Sequence, residues 1–154
     1  MKSLVLCGAC EEELRGMEAL LWQAVQRESG EMKSILLKPF PAAAPTLHVR
    51  FGRGTGAVSP EIPLGQADAI VSVDPGQLLK NLRQLKKDGV AAVYADCTQR
   101  DPETGYDPER CIAFLVRRVK HVRILRQEAE RGWSGGQLCR LLEECACIPP
   151  LLFL

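Results

Sequence analysis

The sequence predicts an α/β fold: a mostly parallel, twisted sheet flanked by helices on both faces, a three-layer arrangement. Three observations predict it. The chain opens with a short aliphatic run, Lys2 to Cys7 (KSLVLC), followed at once by a helical apolar rhythm. Two continuous apolar runs, ADAIVSV from Ala67 and VAAVYAD from Val90, have the composition of strands buried on both faces. Between them lies a leucine-spaced helix, which makes strand, helix and strand a parallel βαβ unit. At 154 residues, 46% hydrophobic and 25% charged, the chain is sized for a single domain, residues 1–154.

Each element has a local reason. Leu14, Met17, Leu20, Leu21 and Val25 recur at three- and four-residue intervals, so Glu12 to Gln26 can lay one face on a sheet. Glu11, Glu12 and Glu13 suit the positive end of that helix, and Gly30 is expected to stop it. Ser34 to Leu37 reads as a second strand. Lys38 to Pro45 (KPFPAAAP) carries three prolines in eight residues and must be a loop. Leu47 to Arg53 alternates apolar with polar residues as a half-exposed strand does. Gly54 and Gly56 open a further loop through SPEIP. Pro75 to Leu85 is predicted as a helix with Leu78, Leu79, Leu82 and Leu85 on one side, and Asp88-Gly89 as the turn into the next strand. Asp107 caps a helix over Pro108 to Val119, with Ile112, Leu115, Val116 and Val119 inward. His121 to Leu125 is expected as a strand, and Ser134 to Cys147 as a last helix ended by Pro149-Pro150.

Composition excludes several functions. With 20 Lys+Arg against 19 Asp+Glu the net charge is +1, which supplies no field for non-specific nucleic-acid binding. No apolar stretch approaches the roughly 18–20 residues of a membrane span, and the opening turns acidic at Glu11 before a signal pattern completes, so a cytoplasmic protein is expected. Seven cysteines, an odd number scattered through strand and helix patterns, read as reduced thiols.

Candidate chemistry concentrates at the first strand-to-helix turn, CGACEEE. A dinucleotide fingerprint needs several glycines there, so that backbone N–H groups approach a pyrophosphate; only Gly8 is present, and three glutamates repel phosphate. Cys7 and Cys10 form a Cys-x-x-Cys at a helix start, the place of a redox pair, but the glutamates oppose a thiolate there. Two inert thiols are the plainer reading, with a small redox dithiol as the alternative. A four-thiolate metal site joining Cys7 and Cys10 to Cys145 and Cys147 has atypical spacing. His48 and His121 fall in strand patterns and read as structural or surface side chains. Asp68 and Asp74 bracket a strand as turn and cap residues. Arg117, Arg118, Lys120 and Arg123 straddle a helix end as a solvated face.

The segment Val49 to Asp96 resembles the gamma subunit, or gamma domain, of the 2-oxoacid:ferredoxin oxidoreductases, the pyruvate, 2-oxoglutarate and indolepyruvate oxidoreductases. The matches are Val49-Arg50, Ser59-Pro60, Ile62-Pro63, Ala67-Asp68 and Gly89 onward, and GYDPERCIAFLVRRVKHVRIL resembles the later helix and strand. The indolepyruvate oxidoreductase beta chain is the most similar subgroup. The chain departs from the pattern at its start, where CGACEEE stands for a glycine-rich turn, and before Val49, where Pro-Ala-Ala-Ala-Pro replaces an Arg-Gly-Gly stretch.

The resemblance implies a subunit of a complex that oxidatively decarboxylates a 2-oxoacid to an acyl-CoA and passes electrons to ferredoxin. Thiamine diphosphate, iron–sulfur clusters and CoA would then belong to partner subunits, with none bound by this chain and no catalytic residue or metal site in it. Partners would be those subunits or a second copy. Because ligands meet open parallel sheets at the strands' C-terminal ends, Gly8, the stretch Arg53, Gly54 through Ser59, and Asp74 are the candidate ligand-side positions. A non-catalytic interaction module that kept the fold is the rival from another class. The loops Lys38 to Pro45 and Arg53 to Pro63, with Phe40, Val58, Ile62 and Leu64, are expected to form a protein interface, the alternative being that these side chains fold back on their own core.

Overall fold

A computed structural model of the chain describes residues 1–8, 10–38, 44–54, 56, 58–95 and 100–126. The predicted helix over 134–147, Cys145, Cys147 and Phe40 lie outside them. The element order is β1 (Lys2–Cys7), α1 (Glu11–Arg27), β2 (Glu31–Leu37), β3 (Thr46–Gly52), β4 (Ala67–Ser72), α2 (Pro75–Lys80), β5 (Leu85–Ala95), α3 (Pro108–Arg118) and β6 (His121–Arg126). Among the described residues, six strands form one sheet in the order β2-β3-β1-β4-β5-β6. β1, β4, β5 and β6 pair in parallel, while β3 runs antiparallel to both β1 and β2.

The pleat sends alternate residues to opposite faces, and each face has its own core. Leu4 and Leu6 of β1 join Leu47, Val49 and Phe51 of β3 beneath Leu14, Met17, Leu21 and Val25 of α1. Val5 and Cys7 point the other way, to a core with Ile70, Ala91, Val93, Leu78 of α2 and Leu115 of α3. Helices therefore lie on both faces as the apolar rhythm required.

Several boundaries moved for physical reasons. α1 ends one residue before the expected glycine could act, because Ser29 itself takes the left-handed conformation (φ 54°). The Ser29 amide donates to the Gln26 carbonyl and the Gly30 amide to the Val25 carbonyl, both at 3.0 Å, so the last turn closes as a Schellman motif with serine in the glycine's place. The helix predicted over Pro75 to Leu85 stops at Lys80; Leu82–Gln84 is a separate 3-10 turn and Leu85 already belongs to β5. Asp88-Gly89 accordingly lies inside the strand. Ala67 pairs with Leu85 but Ala69 with Val90, so residues 86–89 form an irregularity in the ladder. Gly89 is required there by close approach, since a Cβ would meet Leu85 Cγ at 2.9 Å and the Asp68 carbonyl at 3.0 Å.

Candidate functional site

The parallel strands end together at one edge of the sheet, and both helices of the second face begin there with Asp-Pro. Asp74 caps α2, its Oδ1 accepting from the Gly76 amide at 3.1 Å, and Asp107 caps α3 by accepting from the Glu109 amide at 3.0 Å. Proline in the first turn lacks an N–H that would have no partner anyway, and its fixed φ suits the helix. Ser72, fully buried at the end of β4, donates its hydroxyl to the Asp74 carbonyl at 2.6 Å and accepts from the Asp74 amide at 3.1 Å. The Val73 amide bonds the Cys7 carbonyl at 3.2 Å, tying the ends of β1 and β4 together.

Onto this frame the segment before α3 folds Tyr106. Asp101 and Tyr106 form an antiparallel bridge, with the Asp101 amide on the Tyr106 carbonyl at 2.9 Å. The Tyr106 hydroxyl donates to Asp74 Oδ1. Burial and the neighbouring Asp74 charge push the phenol upward, so Tyr106 is a neutral hydrogen-bond donor at any physiological pH. Two thiols complete the surroundings. Burial first, and Asp74 second, push Cys7 up to about 12, and the same two causes followed by Asp107 raise Cys111. Neither is a thiolate near neutrality.

The cluster of Ser72, Asp74, Tyr106, Cys7 and Cys111 can orient a polar group through a carboxylate and a phenol, and it holds no activated nucleophile. Cys10, exposed, turns its thiol to Glu13 Oε1 at 3.7 Å while Cys7 is sealed in the core, so the Cys-x-x-Cys is one accessible thiol and one inaccessible thiol. No group of three or more His, Cys, Asp or Glu able to hold a metal occurs among the described residues.

The structure separates the predicted site residues. Gly8 and Asp74 lie at the C-terminal edge of the parallel strands. Arg53, Gly54 and Ser59 follow β3, and because β3 is antiparallel they leave the sheet at the opposite edge, where Phe51 pairs with Lys2. They do not form one site with Gly8 and Asp74. Gly54 has φ 80° and open space around it, so its backbone conformation accounts for the glycine. The Ser59 hydroxyl accepts from the Glu61 amide at 3.3 Å as a local turn. A Cβ at Gly8 would make ordinary contacts, 3.4 Å from Leu14 and 3.5 Å from Val73, so neither crowding nor backbone conformation requires the glycine. With glutamates at 11–13, that turn does not fit a phosphate.

The expected interface is corrected in the same way. Lys38 to Pro45 leaves β2 at the C-terminal edge, whereas the loop after β3 starts and finishes at the other edge. Ile62, one of the apolar residues expected at that interface, is 2% exposed within the second core, and its amide donates to His48 Nδ1 at 3.0 Å. Burial lowers the His48 pKa, so the ring is neutral and free to accept that bond. Arg50 and Lys33 reach the carbonyls of Glu61 and of Gly56 and Val58, pinning the loop across the second face of β2 and β3 where no described helix lies. Leu64 is the exception, at 63% exposed. Asp68 and Asp74 serve opposite edges, Asp68 accepting from the Ser3 amide at 2.8 Å and pairing with Lys86 at 2.7 Å. Sequence reasoning missed Tyr106 and Cys111, for which the repeated Asp-Pro helix starts at 74–75 and 107–108 are the available signal.

No protein-family profile matches this sequence, and no curated protein matches it. Solved structures do. The pyruvate oxidoreductase subunit PORC of Thermotoga maritima is similar with a TM-score of 0.51 and 15% identity, over 80% of this chain and 61% of that one. The gamma subunit of a keto/oxoacid ferredoxin oxidoreductase from Geobacter sulfurreducens is similar with a TM-score of 0.50 and 14% identity, over 82% of this chain and 60% of that one. The chain thus has a gamma-subunit-like α/β fold and spans about three fifths of the length of these two chains. No helix of the described residues is long and apolar enough to cross a membrane.

Proposed function

We propose that this chain is a gamma-type component of a 2-oxoacid:ferredoxin oxidoreductase, assembling with subunits that carry thiamine diphosphate, iron–sulfur clusters and the CoA site. The reading rests on one observation above the others: about four-fifths of the chain superimposes on a pyruvate oxidoreductase subunit and on the gamma subunit of a keto/oxoacid ferredoxin oxidoreductase. Pyruvate or indolepyruvate is the substrate class and the cytoplasm the compartment this reading carries with it. The hard chemistry belongs to the cofactors. This chain's share would be at the C-terminal edge, where Gly8 lies and where Asp74 and Tyr106 present an oriented carboxylate and phenol. Arg53, Gly54 and Ser59 would act from the far edge.

The acid-flanked turn at Gly8 favours a second reading, an interaction module that kept the fold without ligand contact. A small redox dithiol has little support from a buried Cys7 titrating at about 12. Affinity purification of the tagged full chain from its host separates the readings. The oxidoreductase reading expects co-purified subunits holding thiamine diphosphate and iron, in a complex that reduces a dye with a 2-oxoacid and CoA. A stable complex without those cofactors supports the module and overturns the oxidoreductase.

A further inference from the structure

The outer face of α3 carries charge and aromatic surface that no other element of the described residues uses. Pro108, Ile112 and Leu115 are buried beneath the helix. At about 100° per residue, Arg110, Phe114, Arg117 and Arg118 fall within an arc of roughly 100° on the opposite side. Phe114 is 43% exposed, and the Arg118 guanidinium stands 4.6 Å from the centre of its ring. The only acid of the helix, Glu109, is held by Arg126 at 3.0 Å. Arg110, Arg117 and the nearby Lys120 pair with no acid among the described residues. Together with Arg118 they make four cations, a local concentration in a chain of net charge +1.

Helix-end electrostatics explains only part of it. Arg117 and Arg118 sit in the last turn, where the dipole favours cations, but Arg110 is in the first turn, where it does not. An aromatic side chain among arginines has the composition of a protein-contact hot spot, and guanidinium groups match carboxylates two bonds at a time.

We propose that this face of α3 docks an Asp/Glu-rich segment of a different protein, with Phe114 as the apolar anchor and Arg110, Arg117 and Arg118 as carboxylate clamps. The proposal stands whether or not the oxidoreductase reading does. Nucleic acid is disfavoured because the rest of the chain supplies no supporting positive field. A second copy is disfavoured because the acidic run of the described residues, Glu11–Glu13, begins α1 on the opposite face of the sheet. Such a contact would be heterologous and open-ended.

The test replaces Phe114 with the photo-crosslinker p-benzoylphenylalanine in the full chain, expressed in its host, and identifies the crosslinked peptide by mass spectrometry. The expected product is an Asp/Glu-rich segment of one other protein. Its yield should fall about tenfold in Arg117→Glu/Arg118→Glu, and likewise in lysate at about 1 M salt, where charges are screened beyond roughly 3 Å. Circular dichroism of the double variant should match the parent, since both side chains are solvent-exposed. A crosslink to a neutral segment, to a second copy, to nuclease-sensitive nucleic acid, or to nothing overturns the proposal, as does a yield indifferent to charge reversal.

Discussion

The two edges of the sheet are built by different means. At the edge where β3 ends and β4 begins, the chain is fixed by burial: Ile62 is driven into the second core and its amide is satisfied by a neutral His48. At the edge where β1 and β4 end, it is fixed by polar groups that satisfy one another, Ser72, Asp74, Tyr106 and the capped amide of Gly76. The lesson is that the long, glycine-rich loop, which looks functional, is a structural cover. The short Asp-Pro turns, which look like plain connectors, hold the polar chemistry.

The largest test of that contrast is at Ile62. Ile62→Glu places an unpaired carboxylate in an apolar core and should leave little folded protein, whereas Ile62→Ala should cost about 2–5 kcal/mol in urea unfolding. A folded, stable Ile62→Glu would restore the loop as an interface. At the other edge the losses should be smaller. Asp74→Ala removes a helix cap and the Tyr106 acceptor and should cost about 1–3 kcal/mol. Tyr106→Phe removes one bond and should cost about 1 kcal/mol. If the site also binds a ligand, Tyr106→Phe should weaken that binding by more than its effect on stability.

The difference between the edges is also visible against pH. The folded His48 pKa lies below its ordinary value of 6.5, so the unfolded chain takes up a proton that the folded chain refuses. His48 therefore contributes its full stability above about pH 6.5, and this is lost progressively as pH falls toward the folded value. Urea midpoints at pH 8 and pH 5.5 should show the decline, and His48→Gln, which keeps an acceptor without titrating, should remove this part of it. The smallest effect expected is a gain. Ser29 occupies a left-handed position that glycine adopts without a Cβ penalty, so Ser29→Gly should stabilise by about 0.5–1 kcal/mol.

Much of this was legible in the sequence. The apolar runs at 67–73 and 90–96 and the leucine spacing between them specify the βαβ unit, because two-face burial and period-3.6 patterning have few other solutions. The half-exposed strand expected over Leu47 to Arg53 is buried on both faces, because the loop that follows covers His48, and its direction was not read, since apolar-polar alternation says nothing of polarity. A usable signal was present: the connection from Leu37 to Thr46 is too short for a crossover helix, and a parallel neighbour needs one. Missing it placed Arg53, Gly54 and Ser59 at the wrong edge. The Asp74 cap was readable from Asp-Pro, but its hydroxyl donor was not, because Tyr106 is 32 residues away and only the tertiary fold brings it there.

The central claim, that this gamma-like chain serves a 2-oxoacid oxidoreductase, is tested most directly by deleting it from its host and measuring dye reduction in the extract with pyruvate or indolepyruvate and CoA. The activity should fall and return when the wild-type chain is restored, with Ile62→Glu failing to restore it. Activity unchanged by the deletion, with every 2-oxoacid tried, would contradict the claim.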